Sequence, residues 1–486
     1  MVKGYRLKVS FDKLRNQGYC TLRYRLKVKG GLTANGQWLM VVLMFFTFHF
    51  SLFTPTQSVA QNPIIQTKYT ADPAPYVHGD TVYLYTTHDE DDAQGFHMLD
   101  WLCYTSTDMV NWTDHGAVAS VKDFSKWYNT PNGAWAEQVI ERNGKWYMYC
   151  PLHGHGIGVL VSDGPFGPFN DPLGHALVWQ REHWDDIDPT VWIDDDGQAY
   201  MYWGNPNLYC AKLNEDMISI DPSFGKNGIM KMDPKPDDYQ EGPWFWKHGK
   251  YYYLAFASTC CPEGIGVSMS KSPLGPWKES TPIMNHTPKT RGNHPGIIEY
   301  KGHNYVFGLN YDLFRRVSDL HAERRSVAVA EFQYNKDGSI SEIPYFDEHH
   351  IAPLQTLDPF RRNEAETIAW SDGLKTKKDN KVGIYVTEIH DGDFIKVANV
   401  DFGKGAKHFK ASVASMYRNG SIELRIDDIS GRVIGQCQVN CTGGDLKWAM
   451  RECDVTPTTS GVHDLYFIFH STGKYPMFDF DWWQFE

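Results

Sequence analysis

The sequence predicts an all-β protein, a five-bladed β-propeller followed by a β-sandwich of the jelly-roll type. The first observation is a motif that recurs five times at a spacing of about 53 residues. Each copy is a short strand, a glycine-containing turn and a second strand rich in tyrosine and valine. The second observation is that no long helical pattern interrupts the repeats. Repeats of this length, with about four strands each, are typical of propeller blades.

The five repeats define the expected blades, and further strands lie between the hairpins. The hairpins begin at Asp72, Ala136, Asp188, Glu241 and His294. A two-sheet sandwich is the rival interpretation, but it does not explain regular spacing over about 240 residues. We expect the propeller to cover residues 61–345, a proline-containing linker 346–362, and a β-sandwich module 363–486.

The N-terminal residues 1–60 are predicted to be a signal peptide with an over-extended start. Residues 38–53 form the one long apolar run, and small residues at Ser58 and Ala60 suit cleavage before Gln61. Met40 is a candidate for the true start. Cleavage would leave a secreted or periplasmic protein without a stable membrane partner. The alternative is an N-terminal membrane anchor, for which the run is short.

Composition narrows the class of partner. The net charge is −12, and residues 1–60 hold nine Lys/Arg against one acidic residue, so the remainder carries a net charge of −20. Such a surface repels nucleic acid and anionic lipid. Aromatic residues make up 14% of the chain. They either stack on the apolar faces of sugars or fill an all-β core, and composition alone leaves both interpretations open.

The cysteines do not define a metal site. All nine except Cys20 follow the signal segment, where export permits disulfides. Their spacings match no zinc pattern. Cys260 and Cys261 are adjacent, and we expect that they do not easily pair with each other.

The first strand of every propeller blade lines the central channel, so the five anchors should form a ring around one pocket. The expected ring is Asp72, Ala136 or Glu137, Asp188, Glu241 and His294. Carboxylates that converge on one pocket repel one another, which indicates chemistry or cation binding. The sequence therefore predicts the functional site at this ring.

Glycoside hydrolysis requires one protonated and one ionised carboxyl group beside the scissile bond. Trp244 and Trp246 are expected to form apolar walls beside Glu241, and Asp188 to repel its charge. Both effects would raise the pKa of Glu241 and suit it to act as the acid. Asp72, on another blade, would stay charged and act as the base.

The motifs ADPAP at Asp72, DIDPTVWIDDDG at Asp188, EGPW at Glu241 and NHPGI at His294 resemble glycoside hydrolase family 43 over residues 62–345. The resemblance implies a five-bladed propeller and an inverting mechanism. It assigns the base to Asp72, a pKa-modulating role to Asp188 and the acid to Glu241. It also implies that His294 helps to hold a calcium ion or a water cluster in the channel.

The same resemblance suggests residues that bind the substrate. Trp135 matches an aromatic residue beside the sugar subsite, and Trp244 lies next to the acid. Arg324 and Arg325 both match an arginine near the end of the propeller, and the sequence does not decide which one points inward. The pattern most resembles members that act on xylan decorations.

The predicted activity is therefore release of α-L-arabinofuranosyl units from arabinoxylan or arabino-oligosaccharides. A β-xylosidase acting on xylo-oligosaccharides and a non-catalytic carbohydrate-binding protein are the alternatives. A fructan-cleaving hydrolase is disfavoured because the residues around Asp72 lack the expected N-D-P-N type of motif.

Residues 363–486 resemble carbohydrate-binding module family 6, on the motifs NEAE, GIYVTEIHDGDFIKV, GVHDLYFIF and FDFDWWQF. The resemblance implies a structural calcium ion, with the oxygen ligands Glu364, Glu366 and Asp481. It also implies a sugar cleft in which Tyr385 supplies one aromatic ring. The second ring and an asparagine of the family are replaced by Asp445 and Asp479, so the module is expected to bind weakly, through another face, or mainly to stabilise the enzyme.

Overall fold

A computed structural model describes residues 61–288, 290–346, 351–456, 459–471 and 473–486. The predicted signal peptide lies outside the described residues. Five antiparallel sheets follow one another along the chain and form the five blades, which confirms the predicted propeller. Blade 1 contains β1 (Tyr69–His78), β2 (Thr81–Asp89), β3 (Asp100–Ser106) and β4 (Trp112–Ser120), and a short 3-10 helix (Val121–Phe124) follows it.

The remaining blades repeat this order from the channel outward. Blade 2 contains β5 (Gln138–Arg142), β6 (Lys145–Pro151) and β7 (Ile157–Ser162). Blade 3 contains β8 (Thr190–Ile193), β9 (Ala199–Trp203), β10 (Tyr209–Leu213) and β11 (Met230–Lys231). Blade 4 contains β12 (Tyr239–His248), β13 (Tyr251–Ser258), β14 (Gly264–Ser270) and β15 (Ser280–Met284). Blade 5 contains β16 (Gly296–Tyr300), β17 (His303–Asn310) and β18 (Ser326–Phe332), with helix α1 (Asp312–Arg315) between the last two.

Tight turns set the hairpins of the blades. Between β5 and β6, Asn143 and Gly144 both have positive φ, at 55° and 78°. Lys301 and Gly302 do the same between β16 and β17, at 49° and 81°. Two-residue turns of this kind match the twist of the strands that they join, which explains why the glycine-containing turns marked the hairpins in the sequence.

The first described residues close the ring of blades. The backbone N–H of Ile64 donates to Val327 O, and that of Thr70 donates to Arg325 O, both at 3.0 Å. Residues 64–70 thus run beside β18 and join blade 5 to blade 1. Closure of this type protects edge strands that would otherwise be open.

The C-terminal module is a sandwich of two antiparallel sheets with an apolar core between them. One sheet has the order β22 (Lys375–Asp379), β23 (Gly383–Thr387), β30 (Asp479–Phe485), β25 (His408–Ala414) and β28 (Ala449–Asp454), with β19 (Asn363–Glu364) paired to β30. The other has the order β21 (Trp370–Asp372), β24 (Phe394–Asp401), β29 (Val462–His470), β26 (Gly420–Ile426) and β27 (Arg432–Val439).

The module is joined to blade 1 through a short strand, β20 (Thr367–Ile368), which pairs with β4. Beside this strand, Asp114 lies buried between the two domains. Its Oδ2 accepts from Lys68 Nζ and from the Thr376 hydroxyl, both at 2.6 Å. The interface therefore contains a paired charge as well as a shared sheet.

The adjacent cysteines differ from expectation. Cys260 and Cys261 form a disulfide with each other in the turn between β13 and β14, so the expectation that they do not pair is wrong. The other six cysteines of the described chain carry free thiols. Over the same residues, no helix is long and apolar enough to span a membrane.

Candidate active site

Strand register shows how the ring of anchors is built. The regular ladders of the five inner hairpins start at Ala74, Gln138, Thr190, Trp244 and Gly296. The residues two positions earlier are therefore the equivalent ones: Asp72, Ala136, Asp188, Gly242 and His294. Glu241 lies one residue before its ring position, rather than at it as the repeat alignment predicted. The ladder of blade 4 has an additional register shift between Tyr239 and Glu241 that blade 1 lacks.

Gly242 occupies the ring position of blade 4 for a steric reason. Its φ is +57°, and a Cβ on it would lie 2.8 Å from Cγ of His294. Only glycine leaves room there for the imidazole. The N–H of Gly242 also donates to Asp188 Oδ2 at 3.2 Å. The acidic side chain of blade 4 is thereby moved to the preceding residue, Glu241.

Asp72 and Asp188 have the same unusual backbone, with φ of 49° and 56°. Non-glycine residues rarely adopt this region, and such strain is found where a site requires a particular side-chain direction. Both residues are buried, at 5% and 4% exposure. The bend in each inner strand points their carboxylates toward the channel, where they face His294.

Arg325, not Arg324, is the arginine that reaches the ring. Its Nη1 donates to Asp72 Oδ1 at 2.9 Å, and its Nε and Nη2 bind both oxygens of Asp89, also at 2.9 Å. The Thr87 hydroxyl donates to the other oxygen of Asp72 at 2.9 Å. These donors stabilise a negative charge on Asp72, as a base requires. Arg324 instead donates to the carbonyl of Ala93 at 2.8 Å.

His294 joins the three carboxylates. Its Nδ1 lies 3.4 Å from Asp72, and its Nε2 lies 3.8 Å from Asp188 and 3.5 Å from Glu241. Burial lowers the pKa of His294, but the charges of Asp188, Asp72 and Glu241 outweigh it and raise the pKa to about 10. Because one imidazole touches both groups, Asp72 Oδ1 and Glu241 Oε1 are at most about 9 Å apart. That limit lies within the span of inverting carboxyl pairs.

Asp188 and Glu241 form the acidic side of the ring. Burial raises the pKa of Asp188 to about 7, although His294 opposes the shift, and the charges of Glu241 and Asp72 add to it. Glu241 accepts a hydrogen bond on Oε2 from Asn205, which Gln240 holds from the other side at 2.9 Å. Its side chain is 18% exposed, so the acid reaches both the ring and the open pocket.

A pocket of about 230 Å³ opens above the ring. Its floor is Asp72, Asp188, Glu241 and His294, and its walls are Phe96, Met98, Trp135, Ala136, Trp184, Ile187, Asn205, Gly292 and Arg325. Trp135 is stacked on His153 at 4.1 Å between ring centroids, and Trp184 is 51% exposed at the rim. The pocket thus combines a carboxylate floor with aromatic walls, as a sugar site requires.

Trp244 does not take part in this pocket. It is 7% exposed, and its indole N–H donates to Ile297 O at 2.9 Å. Trp246 similarly donates to the hydroxyl of Tyr334 at 2.8 Å, away from Glu241. The expected apolar walls beside the acid are therefore supplied by other rings, those of the pocket rim.

A second, smaller cavity of about 20 Å³ lies below the ring and is lined by Glu137 together with ring residues. Glu137 is 3% exposed, and neither of its carboxylate oxygens has a hydrogen-bond partner within the described chain. Burial raises its pKa well above the usual range, and Asp72 adds to the shift. The other four blades carry proline at this position: Pro73, Pro189, Pro243 and Pro295.

The predicted calcium ligands of the module lie on neighbouring segments, since β19 pairs with β30 and Ala365 N–H donates to Asp481 O at 2.9 Å. Glu366 and Asp481 are buried, and Oε2 of the first and Oδ1 of the second have no hydrogen-bond partner in the described part of the chain. Arg362 binds both oxygens of Glu364, at 2.9 and 2.7 Å, and lies 3.6 Å from Asp481. Orphaned hard oxygen atoms in a buried site fit a calcium ion.

The predicted sugar cleft of the module is less open. Tyr385 is 7% exposed and meets Trp448 edge to face, with ring centroids 5.4 Å apart. Burial raises the pKa of Tyr385, and the nearby charges of Asp479, Asp379 and Asp445 add to it. The two residues that replace the expected aromatic and asparagine therefore surround this ring with negative charge.

A propeller with a base-type aspartate, a modulating aspartate and a partly exposed glutamate at one channel mouth defines a glycoside hydrolase. Residues 60–340 match the model of glycosyl hydrolases family 43, and residues 364–486 match that of carbohydrate binding module family 6. The chain therefore belongs to glycosyl hydrolases family 43 and carries a C-terminal module of the second family.

Two of the relatives that match most of the chain are arabinoxylan arabinofuranohydrolases. It is 30% identical to arabinoxylan arabinofuranohydrolase of Bacillus subtilis (strain 168), over 92% of this chain and 98% of that protein. It is 33% identical to arabinoxylan arabinofuranohydrolase of Paenibacillus polymyxa, over 87% of this chain and 74% of that protein. A crystal structure of the family 43 arabinoxylan arabinofuranohydrolase from Bacillus subtilis, in complex with cellotetraose, aligns with a TM-score of 0.75. It is 30% identical and covers 87% of this chain and 97% of its own.

Relatives that match a smaller part of the chain are named for other activities, including β-xylosidase activity. A xylosidase/arabinosidase of Bacteroides ovatus is 30% identical over 58% of this chain and 96% of its own length. An extracellular exo-α-(1→5)-L-arabinofuranosidase of Cellvibrio japonicus (strain Ueda107) is 30% identical over 50% of this chain and 74% of its own. A family 43 β-xylosidase/α-arabinofuranosidase from a compost metagenome was solved in a calcium-free form. It has a TM-score of 0.52 and 25% identity over 59% of this chain and 98% of its own.

Proposed function

We propose that this glycoside hydrolase releases α-L-arabinofuranosyl units from arabinoxylan or its oligosaccharides with inversion of configuration. The observation that carries the proposal is the ring in which His294 contacts Asp72, Asp188 and Glu241. The relatives that match 87% and 92% of this chain are named for arabinoxylan, which supports this substrate over the alternatives. The xylosidase/arabinosidase names among the relatives keep β-xylosidase activity as the second candidate.

In the proposed mechanism, Asp72 removes a proton from the attacking water. Its charge is held by Arg325 and by the Thr87 hydroxyl, which also fix its orientation. The water adds to the anomeric carbon on the face opposite the leaving group, so the configuration inverts.

Glu241 protonates the glycosidic oxygen as the bond breaks. Asn205 orients its carboxyl, and Asp188, which shares the same imidazole, repels a second negative charge at this side of the ring. Trp135, stacked on His153 in the pocket wall, is proposed to face the sugar ring, and Arg325 to border its subsite.

The test is direct. The protein is incubated with 4-nitrophenyl α-L-arabinofuranoside, 4-nitrophenyl β-D-xyloside and arabinoxylan, and the released monosaccharide is identified by chromatography. Proton NMR of the first turnovers reports the anomeric configuration. Xylose as the main product would overturn the arabinofuranosidase proposal, and a product of retained configuration would overturn the assigned mechanism.

We also propose a structural calcium ion in the module, held by Glu364, Glu366 and Asp481. The orphaned buried oxygens of the last two residues support it. For the channel, Glu137 fits a calcium ion better than His294 does, because both nitrogens of His294 already face carboxylates. Calcium there would supply positive charge below the ring.

Export is proposed on the pattern of residues 1–60, and the extracellular name of one relative supports it. A polysaccharide is the expected partner of the mature enzyme. N-terminal sequencing of the protein recovered from the medium or the periplasm tests cleavage before Gln61. Recovery of an uncleaved chain from the membrane fraction would contradict it.

A further inference from the structure

The disulfide between Cys260 and Cys261 has no evident structural task. Disulfides stabilise proteins mainly by closing a loop of the unfolded chain, and the benefit grows with loop length. Here the two cysteines are one residue apart, so almost no loop is closed. Both cysteines are also exposed, so their apolar atoms gain nothing from burial. The pair therefore calls for an explanation in terms of what it contacts.

The disulfide lies in the turn that follows β13, at the end of that strand nearest to Glu241. In the β12–β13 ladder, Ala257 is the partner of Glu241, and the chain reaches Cys260 three residues later. The backbone of this turn is anchored on the same side, since Thr259 N–H donates to Asp238 O at 2.8 Å.

The turn also lies close to a residue that is bonded to the pocket wall. Cys261 Sγ lies 3.2 Å from Glu263 Oε1, and Glu263 is 3% exposed. The second oxygen of Glu263 accepts from Gly292 N–H at 2.7 Å. Gly292 lines the pocket together with Glu241 and His294. The disulfide thus contacts a buried carboxylate whose other oxygen is hydrogen-bonded to the pocket wall.

The chemistry of this position follows from the role of Glu241. A general acid stands beside the glycosidic oxygen of the leaving group. The surface next to the acid therefore meets the sugar that remains after cleavage. Two sulfurs and two methylene groups form a flat, uncharged and polarisable patch, which suits contact with the C–H face of a pyranose ring.

We propose that the Cys260–Cys261 disulfide is a contact surface for the backbone sugar from which the terminal unit is cut. This inference rests on the proposed function. It identifies the part of the substrate site that holds the leaving group. The disulfide then determines specificity for polymeric over small aryl substrates. It does not take part in bond cleavage.

The experiment compares wild type with the double variant Cys260→Ser, Cys261→Ser. Arabinoxylan and 4-nitrophenyl α-L-arabinofuranoside are the two substrates, because the second has no backbone sugar. On arabinoxylan, KM should rise about fivefold, the effect of losing one modest apolar contact. On the aryl substrate, kcat/KM should stay within about twofold of wild type.

Two further measurements separate contact from folding. Unsubstituted xylotetraose should inhibit wild-type hydrolysis of the aryl substrate more strongly than it inhibits the double variant. A phosphine reductant, which is oxidised as it converts the disulfide to two thiols, should move wild type toward the variant and leave the variant unchanged. Cys441→Ser is the matched control, since it makes the same exchange at an exposed free thiol of the module and should not alter inhibition by this short sugar.

Equal losses on both substrates would show that the pair merely shapes the turn, and would overturn the inference. Wild-type KM on arabinoxylan in the double variant would overturn it as well. If wild type releases arabinose from neither substrate, the proposed function is wrong, and the inference falls with it.

Discussion

The guanidinium of Arg325 binds Asp72 and Asp89 at the same time through three hydrogen bonds of 2.9 Å, and 3% of its side chain is exposed. One guanidinium thus links the proposed base, at the start of β1, to the end of β2. The planar group forms a two-point contact with Asp89 and still reaches Asp72, a geometry that a lysine ammonium cannot reproduce.

Replacing Arg325 should therefore damage both activity and stability. Arg325→Met leaves two buried carboxylates without their cation, which should lower the free energy of unfolding by about 3–5 kcal/mol. Arg325→Lys keeps the charge and should cost less stability, yet lower kcat/KM on arabinoxylan by about a hundredfold because Asp72 is no longer held. Urea unfolding and steady-state kinetics measure the two effects.

Arg324→Met is the matched control for this pair, because Arg324 does not line the pocket and instead donates to the carbonyl of Ala93 and lies over the ring of Phe314. It should retain activity within about threefold of wild type. Equal losses at positions 324 and 325 would show that the inward orientation of Arg325 is not what matters.

The role of Glu241 can be tested through the leaving group. Glu241→Ala should reduce kcat/KM on arabinoxylan by about 10²–10⁴-fold, since a general acid supplies about that much. On a dinitrophenyl arabinofuranoside, which needs no protonation, the loss should be far smaller. Glu299→Ala, at an exposed glutamate of β16, should leave both rates unchanged. A similar loss of the Glu241 variant on both substrates would contradict the acid assignment.

The raised pKa of His294 predicts that the stability of the folded protein depends on pH. Its pKa in the folded protein is about 10, against an ordinary value of 6.5, so the folded state holds the proton more tightly. This contribution to stability is complete below about pH 6.5 and is lost as the pH rises toward 10. It amounts to about 5 kcal/mol. In the presence of a chelator, the free energy of unfolding of wild type should therefore fall steeply between pH 6.5 and 10.

The comparison is His294→Gln, which lacks the titrating group. Its stability should fall much less between pH 6.5 and 10 than that of wild type. Parallel pH curves for the two proteins would mean that the carboxylates around the imidazole do not hold its proton.

Calcium should stabilise the wild-type enzyme through two sites. At a calcium concentration a hundred times Kd, one site contributes about 2.7 kcal/mol. Glu366→Gln should abolish the binding of one equivalent in calorimetry and, in chelator, should be more stable than wild type, because burial already raises the pKa of Glu366. Glu137→Gln should remove the other equivalent.

The two variants serve as controls for each other, since one lies in the module and the other in the propeller channel. Two equivalents bound by both variants would contradict the assignment of these residues. If wild type binds a single equivalent of calcium, and only Glu366→Gln abolishes that binding, then the channel holds no calcium ion.

Much of the fold could be predicted because turn chemistry is local. Asn143 and Gly144 both take positive φ, which few residue pairs tolerate, so hairpins of this kind are visible in the sequence. The placement of Asp72 and Asp188 followed from the repeat. The exact register at Glu241 could not be predicted, because Gly242 is required by the ring of His294, which comes from the next blade.

The residues that support the site could not be predicted from the sequence either. Thr87, Asp89 and Asn205 follow no periodic pattern, and their partners come from other strands or loops. Trp244 was misleading for the opposite reason, since it adjoins Glu241 in sequence while its indole turns toward β16. Which face of a bulged strand a side chain takes depends on packing between blades.

The strand that the module contributes to blade 1 bears on how this enzyme can be handled. Removing residues 363–486 to obtain a smaller catalyst would strip β20 from β4 and leave an unpaired strand edge on the blade. It would also take Thr376 from the buried carboxylate of Asp114. A truncated enzyme would then be prone to self-association. A module that replaces this one must therefore supply a strand that pairs with β4 as β20 does.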